Sequence, residues 1–261
     1  DLFSGAIFPG LTLVFLYGIW VFIYSRIKPN AFPIPKYISD EVIEIKEIFK
    51  LIIAPITLIF VVLGSILLGI ATPTESAALG AIGSLIIAKI QKKIGIEGIH
   101  DVSIESLKIT SMVFFILIGA SLFSLVFRGF GGDRIVEDFL TNIPGGPTYS
   151  LFLVMITIFI IGFFLDFLEI IFVIIPIVAP SLIAMGFDPI WLGIMIAINI
   201  QTSFLTPPFG FALFYLRGVA SKEIKTSEIY KGVIPFIALQ LLLILLMYFF
   251  PNIITWLPSQ L

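Results

Sequence analysis

Four polar side chains set the chemistry open to this chain. Asn199, Thr202, Ser203 and Thr206 recur at i, i+3, i+4 and i+7, so a helix would carry them on one face. They run into two consecutive prolines, Pro207 and Pro208. Neither proline has an N–H for the carbonyl one turn earlier, which predicts that the carbonyls of Ser203 and Phe204 are released from the helix ladder. Hydroxyls, an amide and released carbonyls are the oxygen ligands that a small hard cation prefers. Past the prolines, Phe209 to Arg217 can restart as a second half-helix. Its positive N-terminal end would point back at the break and can hold an anion, which makes Pro208, Phe209 and Gly210 candidate substrate contacts. The plainer alternative is a proline kink whose polar face is satisfied by a neighbouring helix.

Asp166 and Glu169 form the second constellation, standing three apart inside a long apolar stretch. Asp-x-x-Glu serves well as a helix-capping pair. Two carboxyls in apolar surroundings otherwise need a cation, a donor network or a wet cavity, and on that reading Asp166 is a further substrate contact. An aspartyl intramembrane protease would need two aspartates on facing helices, and no Gly-x-Gly-Asp motif is present. The chain is therefore read as something other than an enzyme. Thr72-Pro73-Thr74-Glu75 is a third polar group, with Thr72 as N-cap, Pro73 at N1 and Glu75 reaching back to the cap amide. After it, Ser76, Gly80 and Ser84 form a small-xxx-small face suited to close helix contact.

The elements that must position these groups are membrane helices. Of 261 residues, 59% are hydrophobic and 12% charged, and the mean hydropathy is +1.16, which excludes an aqueous globular protein. With no cysteine, disulfides and zinc-thiolate sites are excluded as well, and a lone histidine, His100, leaves no multi-histidine metal site. The net charge of -2 and the lack of any basic cluster argue against nucleic acid. Apolar spans of bilayer length fall at 4–27, 50–71, 74–90, 108–127 and 232–250, with the broken helix at 190–218. Between Tyr149 and Ala184 an apolar run interrupted near its centre predicts a hairpin that enters the membrane and turns back. The expected fold is all-α and polytopic. Residues 1–107 would supply scaffold helices, 108–218 a transport half-domain, and 219–261 a closing helix with an outer tail.

Charge orients these spans, because short cytoplasmic loops carry the excess of Lys and Arg. If the broken helix crosses the membrane, 13 of the 15 basic residues share one face and only Arg128 and Arg134 lie opposite. That split predicts cytoplasmic loops at 28–49, 91–107 and 218–231, with both termini outside. Arg217 reads as a cytoplasmic anchor. The glycine-rich run from Arg128 to Arg134 lacks Gly-Lys-Ser/Thr and reads as a flexible outer loop. A polar helix break buried in a membrane is the arrangement of secondary transporters. A channel, or a structural subunit with a packing kink, is the alternative.

Several stretches carry a family resemblance. GIATPTESAALGA at 69–81, GFFLDFLEIIFVIIPI at 162–177 and TPPFGFALFYLRGVA at 206–220, preceded by DLFSGAIFPG at 1–10, resemble the large membrane subunit of the tripartite ATP-independent periplasmic transporters. The resemblance implies sodium-coupled import of small organic anions across the bacterial inner membrane. It also implies delivery by a periplasmic binding protein, a small membrane subunit as partner, and an elevator-type movement, with sodium as coupling ion and no other cofactor. By the same resemblance 162–176 would be the outward-opening hairpin and 199–210 the unwound helix beside it. The family subunit has two inverted repeats, and this sequence resembles the second. A facing N-terminal half is expected elsewhere, consistent with the first methionine falling only at Met112. The wording around Gln201 to Ser203 and Phe209 to Phe211 resembles a branch handling keto or hydroxy acids.

Overall fold

The computed structural model describes residues 1–29, 45–91, 94–207, 210–220 and 224–260. Every regular element in it is helical: α1 (Leu2–Ile27), α2 (Ile45–Leu67), α3 (Pro73–Ile90), α4 (Ile96–Gly129), α5 (Gly132–Thr141), α6 (Pro147–Ile161), α7 (Phe167–Glu169), a π-helical turn (Ile170–Ile174), α8 (Ile175–Ala184), α9 (Pro189–Leu205), α10 (Phe211–Val219), α11 (Thr226–Phe249) and α12 (Asn252–Thr255). Four helical stretches among the described residues are long and apolar enough to cross a membrane: Leu2–Ile27, Ile96–Gly129, Phe167–Ala184 and Thr226–Phe249. The all-α, polytopic expectation holds. The chain divides into two compact units, one made of 1–23 with 112–261 and the other of 24–111.

In the smaller unit α2 packs on α3. Thr72 and Glu75 form the expected reciprocal cap, with the Thr72 amide donating to Glu75 Oε2 at 2.7 Å and the Glu75 amide to Thr72 Oγ1 at 3.3 Å. The small-residue face is shifted from its expected position. Ser76 is fully buried and shares a 2.8 Å hydrogen bond with Ser65, and Gly80 faces Val62. The third close position is Gly83, where a Cβ would lie 2.5 Å from Leu58 Cδ1. Ser84 instead gives its hydroxyl proton to the Ala81 carbonyl.

Two connectors differ from their expectation. The 91–107 segment is helical from Ile96, so α4 runs 34 residues, about 51 Å. Polarity there marks where the apolar run ends, while helix formation continues on pairs such as Lys108 with Glu105 at 2.7 Å. The flexible loop expected over Arg128 to Arg134 is also replaced by structure. Gly131 takes the left-handed conformation at φ 72°, ends α4 sharply, and starts α5, which buries Leu140.

The larger unit is organised around α9. Ten of its 17 residues are buried, and the exposed Ala197 and Gln201, four apart, mark the one stripe left open. Asp188 caps it, accepting from the Trp191 amide at 2.7 Å, with Pro189 at the first helical position. α6 contributes Leu151, Val154 and Ile158 to the same core, and α11 contributes Leu243 and Met247. The Trp191 indole donates to the Met247 carbonyl at 3.1 Å, tying α9 to α11 without leaving its N–H unsatisfied.

Candidate functional site

Two helical arms joined by a turn at 162–166 occupy the stretch expected to form a hairpin, and the turn sits on the end of α9. α6 is 15 residues, about 22 Å and shorter than the roughly 30 Å hydrocarbon core. It ends at Gly162, and the chain turns through Phe163 to Leu165. Asp166 then caps the second arm: its Oδ1 accepts from the Phe167 amide at 2.8 Å, while Glu169 Oε2 accepts from the Asp166 amide at 3.2 Å. Both carboxyls of this pair therefore act as caps, the first of the two roles open to them. The arm continues through the π-helical turn into α8 with Pro176 and Pro180.

Gly162 makes the closest approach in the site. A Cβ there would fall 2.2 Å from Ser203 Oγ and 2.8 Å from Ser203 Cβ. The Phe167 and Phe204 rings meet edge to face at 6.0 Å. These two contacts place the hairpin tip against the last turn of α9. The sequence marks Gly162 as an interruption of the apolar run, but nothing in it names Ser203 as the partner.

At the break, α9 ends at Leu205 and Thr206 is extended at φ -95°, ψ 128°. Pro208 and Phe209 lie outside the described residues. The second half-helix starts at Phe211, two residues later than expected, with Gly210 before it. Gly210 is buried and passes close to α9, and a Cβ on it would stand 2.9 Å from the Phe204 carbonyl oxygen. One of the two carbonyls expected to be released is engaged: Ser203 O accepts from the Thr206 amide at 3.0 Å, because a tighter i→i+3 bond closes the helix end. The Thr206 carbonyl accepts from the Gly210 amide at 3.2 Å, bridging the break.

The polar face is buried and internally bonded. Asn199, Thr202 and Ser203 are 3%, 0% and 0% exposed. Thr202 Oγ1 donates to Ile198 O at 2.7 Å, Ser203 Oγ to Ile200 O at 2.7 Å, and Thr206 Oγ1 to Thr202 O at 2.8 Å. A hydroxyl that has given its proton to the backbone offers only lone pairs to anything else, so these three oxygens can accept a donor or coordinate a cation. Asn199 stands apart. Its amide donates to the Met155 carbonyl of α6 at 2.8 Å, and it lines an apolar groove of about 740 Å³ with residues of α6 and α11. Seven residues of helix put Asn199 about 10 Å along the axis from Thr206, beyond the reach of one ion with oxygen bonds of about 2.5 Å. No group of His, Asp and Glu residues suited to a metal occurs among the described residues.

The sequence also matches a family of known proteins. The family described as "Tripartite ATP-independent periplasmic transporter, DctM component" matches residues 1–253. The sialic acid TRAP transporter permease protein SiaT of Haemophilus influenzae is 28% identical over all of this chain and 41% of its own length. The C4-dicarboxylate TRAP transporter large permease protein DctM of Vibrio cholerae is 28% identical over all of this chain and 61% of its own. The isethionate TRAP transporter permease protein DctMQ of Oleidesulfovibrio alaskensis is 31% identical over 74% of this chain and 30% of its own. The chain thus spans about half the length of the curated relatives it matches.

Proposed function

We propose a transport role for this chain, which belongs to the DctM component family of the tripartite ATP-independent periplasmic transporters. In this reading it forms part of a multi-pass inner-membrane importer of small organic anions, driven by sodium. The importer works with a periplasmic substrate-binding protein, a small membrane subunit and the rest of a large subunit. The substrate class is suggested by relatives named for sialic acid, C4-dicarboxylates and isethionate, all of them organic anions. We place sodium against the hydroxyl oxygens of Thr202, Ser203 and Thr206, with Asn199 fixing their helix to α6. The substrate carboxylate faces Gly210 and the start of α10. Asp166 would accept hydrogen bonds from hydroxyl groups of the substrate.

The observation that carries this reading is the seating of the hairpin tip on α9, Gly162 against Ser203, beside hydroxyls left with lone pairs only. A structural role for the break is favoured by one observation: the polar side chains of the face already have partners inside the protein. Sodium titrations of uptake by the complete transporter, with its binding protein, separate the two readings. Thr206→Val and Thr202→Val each keep the shape and remove one oxygen. Loss of a ligand costs about 1–3 kcal/mol, so the sodium midpoint should rise roughly five- to 150-fold. If neither variant moves the midpoint while expression stays normal, the break is a packing kink.

A further inference from the structure

The last three turns of α4 carry a polar cleft that the transport reading does not use. Leu117, Ser121, Ser124 and Arg128 recur at i, i+4, i+7 and i+11 and so share one face. With Phe172 of the π-helical turn they line a cleft of about 350 Å³. All of these residues lie in the larger unit. Between Lys108 and Arg128 the chain has no charged residue, so Arg128 is the one formal charge on this wall. Among the described residues no carboxylate lies within ion-pair distance of it.

An arginine at the end of a membrane helix serves without a ligand as an interface anchor and as a complement to the helix dipole. Two features go beyond that role. The first is the concave wall completed by Phe172, which no anchor requires. The second is Ser124. Ser103 and Ser121 of the same helix spend their hydroxyl protons on the carbonyl four residues earlier. Ser124, one turn before Arg128, makes no such bond among the described residues, which leaves its hydroxyl able to donate elsewhere. A planar guanidinium with five donors beside a free hydroxyl donor recognises an oxyanion.

We propose that Arg128 and Ser124, with Phe172 as the facing wall, form an anion site that takes the carboxylate or phosphate oxygens of a small acid or of a lipid headgroup. A bound anion there would connect α4 to the second arm of the hairpin. The site does not depend on sodium binding at the α9 break.

The test uses the purified chain in nanodiscs of phosphatidylcholine, with radiolabelled succinate in equilibrium dialysis as the free-acid probe. A parallel arm uses native mass spectrometry to count phosphatidylglycerol retained from mixed-lipid nanodiscs. Arg128→Gln should weaken the occupant about 10- to 100-fold, the range for hydrogen bonds to a charged group. Ser124→Ala should weaken it less, and Arg128→Lys should restore part of the loss because it keeps the charge without the fork. Arg134→Gln, which removes the same charge from α5, should change nothing. Succinate binding that depends on Arg128 assigns a free organic acid, and phosphatidylglycerol retention that depends on Arg128 assigns a headgroup. The proposal is overturned if Arg128→Gln, with unchanged melting temperature, binds both probes as the unaltered chain does, or if neither probe binds the unaltered chain.

Discussion

Replacing Gly162 with alanine tests the contact on which the site is built. Gly162 has φ -64°, which any residue adopts, so the substitution carries no backbone strain and acts only through contact. The added methyl would fall 2.2 Å from Ser203 Oγ and 2.8 Å from Ser203 Cβ. Ser203 has nowhere to go: it is fully buried and its hydroxyl is committed to Ile200 O at 2.7 Å. Overpacking of this kind costs about 1–3 kcal/mol, and breaking the Ser203 bond to make room adds about 1 kcal/mol. For a unit of this size 1 kcal/mol is about 2–4 °C in melting temperature, so Gly162→Ala should melt roughly 4–16 °C lower by scanning fluorimetry in detergent. Ser203→Gly removes both clashing atoms at a cost of about 1 kcal/mol for glycine in a helix. The double variant should therefore be more stable than the sum of the singles by about 1–2 kcal/mol. Strict additivity, or a Gly162→Ala protein that melts with the unaltered chain, would refute the seating of the hairpin tip on α9.

Two further outcomes follow from other parts of the molecule. Tyr17 Oη and Gln240 Oε1 are buried and their side chains face each other from α1 and α11, but neither atom makes a hydrogen bond of ordinary geometry. An orphaned buried group costs about 1–3 kcal/mol, so Tyr17→Phe combined with Gln240→Leu should melt no lower than the unaltered chain; a clear drop would show that the pair is bonded, directly or through water. The proposed orientation is read by single cysteines in this cysteine-free chain: with an impermeant maleimide on intact cells, Thr148→Cys should label and Ser103→Cys and Ser227→Cys should not, and the reverse pattern would invert the topology.

The broken helix and the hairpin are legible in the sequence because their signals are local. A double proline must interrupt a helix whatever surrounds it, and Asp166 with Glu169 caps the hairpin arm through bonds that span three residues. Thr72 and Glu75 are legible for the same reason. α5 is not legible, because glycines at 129, 131 and 132 read as flexibility when counted by type. Their role depends on which one takes a positive φ, and only Gly131 does so there. The extension of α4 to Ile96 is hidden because hydropathy reports the apolar run and says nothing about where helical hydrogen bonds stop.

The fate of the four polar residues shows a deeper limit. Their shared face follows from a period of 3.6, and the structure keeps them on one buried helix. What each does there is set by its surroundings. Asn199 meets the Met155 carbonyl 44 residues away in sequence, whereas Thr202, Ser203 and Thr206 bond to the backbone within four residues of themselves. Periodicity groups residues by angle around the axis and is blind to height along it, yet an ion site is a matter of a few ångströms in height. The two ends of this face differ by about 10 Å, which separates a helix-packing amide from the proposed cation seat. The contact that singles out the Ser203 end for the proposed seat comes from Gly162, a residue without a side chain. Its importance is visible only once Ser203 stands 2.2 Å from where its Cβ would be.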